Sequence, residues 1–293
     1  MLNKHVLTCL ALAVLVLPGA VISDDSRRNQ PQLVWSEEFN EGTVPDADTW
    51  NFDTGATGWG NQELQAYTDL PSNARVENGH LVITARRQEN EDEPFTSARI
   101  NTMGKLEFQY GIVVARIKLP ELGDGLWPAF WALGSNYPEV GWPDSGELDV
   151  MELGHSEAIS KGVVNRRVGS AAHWEHRGEH AIYSESLDSP SDLNDGFHTF
   201  RMTWTPDFVR TSVDGEPVWT MDLRKRSCSD CSELHQPFFI ILNLAVGGTY
   251  TGKLKPDEIT APFPAEMRVD YVRIYDNGFT ELNESTANRN ALD

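Results

Sequence analysis

Lys105 to Leu119 reads KLEFQYGIVVARIKL. β-Branched and aromatic residues crowd this stretch, and such side chains pack well on a pleated strand. Leu81 to Arg86 (LVITAR), Thr199 to Thr205 (TFRMTWT) and Phe238 to Val246 (FFIILNLAV) have the same character. Val269 to Tyr275 (VDYVRIY) largely alternates apolar and polar residues, as a strand with one wet face does. Asp214-Gly215 separates two short strand-like runs and reads as a hairpin turn. No window as long as an ordinary globular helix carries a helical apolar stripe. Many short strands punctuated by turns predict an all-β fold, a β-sandwich or jelly roll.

The 293 residues divide unevenly. Residues 1–23 have the form of a secretory signal peptide: Lys4, then an apolar run from Val6 to Ala20, then Val21-Ile22-Ser23 ahead of Asp24. The apolar run is shorter than the roughly 20 residues of a membrane span. Cys9 lies inside that run rather than after it, which disfavours a lipoprotein leader. Residues 24–31 (DDSRRNQP) and 277–293 (NGFTELNESTANRNALD) are polar and predicted to be flexible ends around one domain, 32–276. Asn283-Glu284-Ser285 in the second of them is a glycosylation sequon, meaningful only in a eukaryotic secretory pathway.

Without Lys4 the chain keeps 23 basic against 44 acidic side chains, a net charge of −21. Phosphates and anionic lipid surfaces would repel it, so nucleic acid and membrane are not expected partners. A neutral substrate would not be repelled. Cys228 and Cys231 admit three readings: a loop disulfide, a redox pair or half of a zinc site. An exported chain favours the disulfide.

Chemistry concentrates in Ser145 to His155, SGELDVMELGH. On a strand Glu147 and Asp149 face the same way, whereas Glu152 has the wrong parity. One extra residue bulged near Val150–Met151 would restore it, leaving Leu148 and one of Val150 or Met151 to face the core. Three carboxylates on one strand face repel each other, and a merely structural strand has little reason to keep them. Glycoside cleavage gives them a use. A retaining glycosidase needs two carboxyl groups about 5–5.5 Å apart. Strand rise sets the Cα atoms of Glu147 and Glu152 roughly 13 Å apart, a gap that two inward-leaning glutamates close. Ionised Glu147 would keep Glu152 protonated, ready to act as an acid, while Asp149 orients the nucleophile.

Aromatic residues flank the row. Three of the nine tryptophans, Trp127, Trp131 and Trp142, fall within sixteen residues. Flat rings stack on the C–H faces of sugars, and they also fill β-sandwich cores. Trp142 is the foremost candidate for a sugar platform, with some of Trp127, Phe130 and Trp131 in the core.

Several long blocks together resemble glycoside hydrolase family 16, and within it the laminarinases, endo-β-1,3-glucanases. They are WGNQELQAYT (59–68), NARVENGHLVITAR (73–86), TSARINTMGKLEFQYGIVVARIKLP (96–120), GLWPAFWALG (125–134), GELDVMELGH (146–155), FHTFRMTW (197–204), FFIILNLAVGG (238–248) and VDYVRIYD (269–276). The resemblance implies a concanavalin A-like jelly roll with a concave substrate groove and retention of anomeric configuration. It implies Glu147 as nucleophile, Asp149 as its helper and Glu152 as acid/base, with no cofactor required for catalysis. Asn61 and Arg99 resemble groove residues that bind sugar; a plain salt bridge is the other reading of Arg99. His173 in AAHW falls where the family often places a groove histidine, and His176 and His180 read as surface histidines. A structural calcium on the convex side is common in the family, and Asp270 matches that region, with Glu38 a second candidate oxygen ligand.

The expected partner is a β-glucan, cut outside the cell by a monomer. Three rivals remain: the same fold acting on lichenan, agar or carrageenan, a non-catalytic β-glucan-binding protein, and a zinc hydrolase using His173, His176 and His180. Basic side chains are few in the motif blocks, which disfavours a sulfated substrate. The histidines lack the helix that would converge them on a zinc ion.

Overall fold

A computed structural model describes residues 31–89, 93–228 and 230–285. The expected signal peptide, residues 24–30 and residues 286–293 lie outside the described residues.

Strands dominate it. In chain order the first are β1 (Gln32–Glu37), β2 (Asn51–Asp53), β3 (Gln65–Tyr67), β4 (Ala74–Glu77), β5 (His80–Arg87) and β6 (Phe95–Ser97). Next come β7 (Arg99–Asn101), β8 (Leu106–Gln109), β9 (Gly111–Lys118), β10 (Leu126–Gly134), β11 (Glu147–Glu152), β12 (Arg167–His176) and β13 (Glu179–Asp188). The remainder are β14 (His198–Trp204), β15 (Phe208–Val213), β16 (Glu216–Asp222), β17 (Phe238–Val246), β18 (Ala265–Asp276) and β19 (Glu281–Glu284). The α-helices among the described residues are short, α1 (Tyr137–Val140) and α2 (Ser156–Ser160). None is long and apolar enough to cross a membrane.

The strands form a ten-stranded and a nine-stranded sheet. The first runs β16-β15-β14-β9-β18-β5-β6-β3, with β1 on β18 and β4 on β5. The second runs β13-β12-β11-β10-β17-β7-β2, with β8 between β17 and β19. Their inner faces meet over aromatic side chains. Trp204 of the first sheet packs edge-on against Phe108 and Phe238 of the second, with ring centroids 5.9 and 5.2 Å apart. All three are essentially excluded from water. The predicted jelly roll is present.

Lys105 to Leu119, which reads as one strand, is two. β8 belongs to the second sheet and β9 to the first. The chain changes layers at Tyr110 and Gly111, with φ of 59° and 115°. A Cβ on Gly111 would lie 2.9 Å from Thr280 Oγ1, so a residue without a side chain is needed there. The tail predicted to be flexible from residue 277 is partly ordered as β19. It pairs with β8 from Glu281↔Gln109 to Glu284↔Leu106, and Leu282 packs on the core. Its polar composition hid that one apolar anchor. Asp214 and Gly215 form the expected turn, both at positive φ, between β15 and β16. The sulfurs of Cys228 and Cys231 are joined, at 2.12 Å.

The predicted bulge lies in β11. Against β10 the register steps from Phe130↔Met151 to Trp131↔Asp149, leaving Val150 without a partner. Against β12 it steps from Asp149↔Ala171 to Glu152↔Gly169. Both Val150 and Met151 are buried in the core cluster, where only one of them was expected. The carbonyl of Val150, which the bulge frees from the ladder, accepts a hydrogen bond from Ser170 Oγ at 2.9 Å. Ser170 in turn accepts one from Thr211 Oγ1 of the opposite sheet at 2.9 Å. Ser170→Ala therefore strands a buried carbonyl. Urea denaturation should show a loss of about 1–3 kcal/mol for this variant, and an unchanged midpoint would mean that the bulge holds without this bond.

Candidate active site

The second sheet floors a groove of about 1010 Å³. Glu147, Asp149 and Glu152 all line it, so the bulge does bring the third carboxylate onto the face of the other two. Asp149 is buried between them, and Glu147 and Glu152 keep a small exposure to the groove. Burial raises all three carboxyl groups. It pushes Glu147 to about 8, with the neighbouring Asp149 adding to the rise and the charges of His173 and Arg99 opposing it. Burial pushes Asp149 to about 7, its contact with Glu147 pulling the other way. Glu152 is held well above the usual carboxylate range by burial and then by Asp149, with a Trp127 hydrogen bond opposing. Three carboxylates in this row do not ionise together at neutral pH, and burial beside Asp149 favours the protonated form of Glu152.

Trp127 Nε1 donates to Glu152 Oε1 at 2.8 Å. Its indole stacks on Tyr250, with centroids 4.6 Å apart and planes within 10°. Gly169 makes room for that tyrosine, since a Cβ there would lie 3.1 Å from the Tyr250 hydroxyl. At the other end of the row His173 is the β12 partner of Glu147. Its Nε2 lies 3.1 Å from Asp149 Oδ2 and 3.8 Å from Glu147 Oε1. Trp142 is exposed on the groove wall, its ring 4.4 Å from that of His180.

Arg99 lines the groove and is also in a salt bridge. Its Nε lies 2.8 Å from Asp53 Oδ2, and its guanidinium sits between the Trp59 and Trp131 rings at 5.1 and 4.8 Å. Such cation–π contacts keep a charged side chain in place beside a neutral ligand. Trp131 Nε1 donates to Asn243 Oδ1 at 2.7 Å, so its ring is fixed at the groove rather than in the core. Phe130 alone of the aromatic trio is fully buried. Asn61 lines the groove with its amide nitrogen 3.5 Å from Glu63 Oε1.

His176 pairs with Asp230 at 3.2 Å, away from the row. His180 is exposed as expected, but the surface it occupies is the groove rim, where its Nε2 lies 2.8 Å from His173 Nδ1. Sequence reasoning passed over Glu63, Asn243 and Tyr250. Glu63 accepts from Gln65 at 2.6 Å and Tyr67 at 3.2 Å, and burial raises its carboxyl. Asn243 is legible in hindsight as the one amide inside an apolar strand. Tyr250 carries no local signal.

The calcium expected at Asp270 and Glu38 does not fit. Arg273 holds both oxygens of Glu38 at 2.8 Å, and Arg116 holds Asp270. A calcium ion asks for oxygen ligands free of a competing cation, and these two carboxylates are committed to different guanidinium groups. Among the described residues the donor atoms of Glu147, Asp149 and His173 come within 4.8 Å of one another. That trio is two members of the acidic row and the histidine beside them.

The family model for glycosyl hydrolases family 16 matches residues 61–273. A beta-glucanase from Rhodothermus marinus is 37% identical over 277 residues, covering 92% of this chain and 93% of that protein. A glucan endo-1,3-beta-glucosidase from Cryptopygus antarcticus is 37% identical over 258 residues, covering 82% of this chain and 90% of its own. The solved laminarinase catalytic domain from Thermotoga maritima MSB8 superposes with a TM-score of 0.72 at 40% identity, covering 84% of this chain and 98% of that one. With this groove and these relatives, the chain belongs to the glycosyl hydrolases of family 16.

Proposed function

We propose that the protein is a retaining endo-hydrolase of β-1,3-glucan or mixed β-1,3/1,4-glucan, with Glu147 as nucleophile and Glu152 as acid/base. The observation that carries the reading is the bulged row of three carboxylates on the groove floor. Glu147 attacks the anomeric carbon while Glu152 protonates the departing glycosidic oxygen, giving a glycosyl ester on Glu147. The ester removes the charge of Glu147, so the proton affinity of Glu152 falls and it takes a proton from the attacking water. Two inversions give net retention. Asp149 and His173 orient Glu147, and the Trp127 N–H fixes one oxygen of Glu152 so that the other faces the substrate. No cofactor enters these steps.

A neutral glucan suits the groove better than a sulfated one. Among the described residues, the guanidinium groups lining it are Arg99 and Arg167, and each is already paired, with Asp53 and Asp188. The names of the related glucanases point the same way. The leader-like residues 1–23 and the paired cysteines support a secreted enzyme. We propose that it acts as a monomer.

Reducing-sugar release on laminarin, barley mixed-linkage glucan, agarose and carrageenan tests the substrate. Laminarin or the mixed-linkage glucan should be cut best; cleavage of agarose or carrageenan alone would remove the glucan assignment. Binding without cleavage of any of the four would make the protein a receptor. Glu147→Gln should abolish turnover, and Glu152→Gln should lower kcat on laminarin by roughly 10²–10⁴-fold. That second loss should shrink on an aryl oligoglucoside, whose leaving group needs no proton.

Stability should also depend on pH with a definite sign. The folded chain holds protons that the unfolded chain has released, so stability falls as pH rises from the ordinary carboxylate range toward about 8. Asp149→Asn removes part of this penalty. Calorimetry should find it melting above the wild type at pH 8, with the advantage gone at pH 4; a constant difference across pH would contradict the linkage.

A further inference from the structure

β12 and β13 form a long hairpin whose inner strand carries His173 and whose outer strand carries His180. In the ladder His173 faces Ile182, and His180 faces Glu175, so the two histidines are diagonal neighbours on one face. Their rings lie edge to edge, centroids 5.0 Å apart and within 13° of parallel, and the Trp142 ring is 4.4 Å from that of His180. The Nδ1 of His173 and the Nε2 of His180 are 2.8 Å apart.

A neutral imidazole has one N–H and one lone pair, so what sits at one nitrogen decides what the other does. His173 meets a partner at each. Nε2 faces Asp149 Oδ2 at 3.1 Å and Glu147 Oε1 at 3.8 Å. Once either acid ionises, an N–H is favoured there over a lone pair, which leaves Nδ1 of His173 bare. That lone pair needs a donor, and the group within reach is His180 Nε2.

We propose that His180 is a positioning residue for the hydrolytic reaction: by donating from Nε2 it fixes the tautomer of His173 that aims an N–H at Asp149 and Glu147. The inference rests on these two acids acting as described under the proposed function. The order is His180 Nε2–H to His173 Nδ1, with the Nε2–H of His173 then turned toward Asp149 and Glu147, 3.1 and 3.8 Å away. Its effect is to favour the ionised form of the nucleophile end, so that the proton of the row stays on Glu152. The charged groups facing the pair are Glu147, Asp149 and Glu152 from β11, Arg99 from β7 and Glu175 from the hairpin itself. Glu175 is turned to the Gly178 N–H at the hairpin tip. Partial burial, and then His173, lower the proton affinity of His180.

Losing His180 would let His173 carry its proton on Nδ1, turning a lone pair toward a carboxylate. His180→Phe keeps an aromatic ring beside Trp142 and removes the donor. The acidic limb of its kcat/KM profile on laminarin should move up by about one pH unit, because Glu147 then holds its proton longer. His180→Gln, whose amide can donate to Nδ1, should return the limb toward its wild-type position. A purely structural role would lower activity evenly at every pH. Histidine ¹⁵N resonances read the tautomer directly. His173 should be Nε2–H in the wild type and should change state in His180→Phe. This reading needs no turnover, so it stands apart from the outcome for Glu147→Gln. An Nδ1–H tautomer of His173 in the wild type, or superimposable pH profiles, would overturn the proposal.

Discussion

Val150 has no partner across β10, and the geometry of the groove depends on that extra residue. A regular strand would set Glu147 and Asp149 toward the groove and Glu152 toward the core, where an unpaired carboxylate costs several kcal/mol. The bulge turns Glu152 round. It also frees a carbonyl, which Ser170 takes up, and Ser170 is held by Thr211 from the opposite sheet. The active row is thus tied through the sandwich to a strand that never reaches the groove.

Around the row the protein supplies graded company rather than neutralisation. Arg99 acts on Glu147, yet its guanidinium is engaged by Asp53 and lies between two indole rings. His173 acts on both Glu147 and Glu152, and Glu152 has besides it the N–H of Trp127. Positive influence is thus greater at Glu147, which has Arg99 as well, than at Glu152. A gradient of this kind separates two chemically identical side chains into a group that gives up its proton early and one that gives it up late. The penalty for burying the row is accepted in the folded state, as active sites commonly do.

Much of this was legible because strand periodicity is local. The wrong parity of Glu152 within ELDVME demanded a bulge, and one is there. The apolar run FFIILNLAV reads as a strand and is one, buried along its whole length. What escaped is set by contacts far apart in sequence. Asp270 and Glu38 look like free oxygen ligands until Arg116 and Arg273 are brought beside them from other parts of the chain. Tyr250 gains its place only when the turn after β17 folds over Trp127. The change of sheet at Tyr110 needed a left-handed backbone at a tyrosine, which the residue type does not announce. Leu282 was hidden by polar neighbours on a strand that pairs at the edge of the sheet.

β13 ends its sheet, with β12 its one neighbour in the ladder. A ten-residue strand with a bare row of peptide groups invites another chain to pair with it. Here the strand opens on Glu179, carries Glu185 midway and closes on Asp188. Two copies approaching edge to edge would bring these carboxylates together, on molecules that already repel each other at a net charge of −20. The same hairpin that lends a histidine to the groove thereby discourages fibrillar stacking of one copy on another.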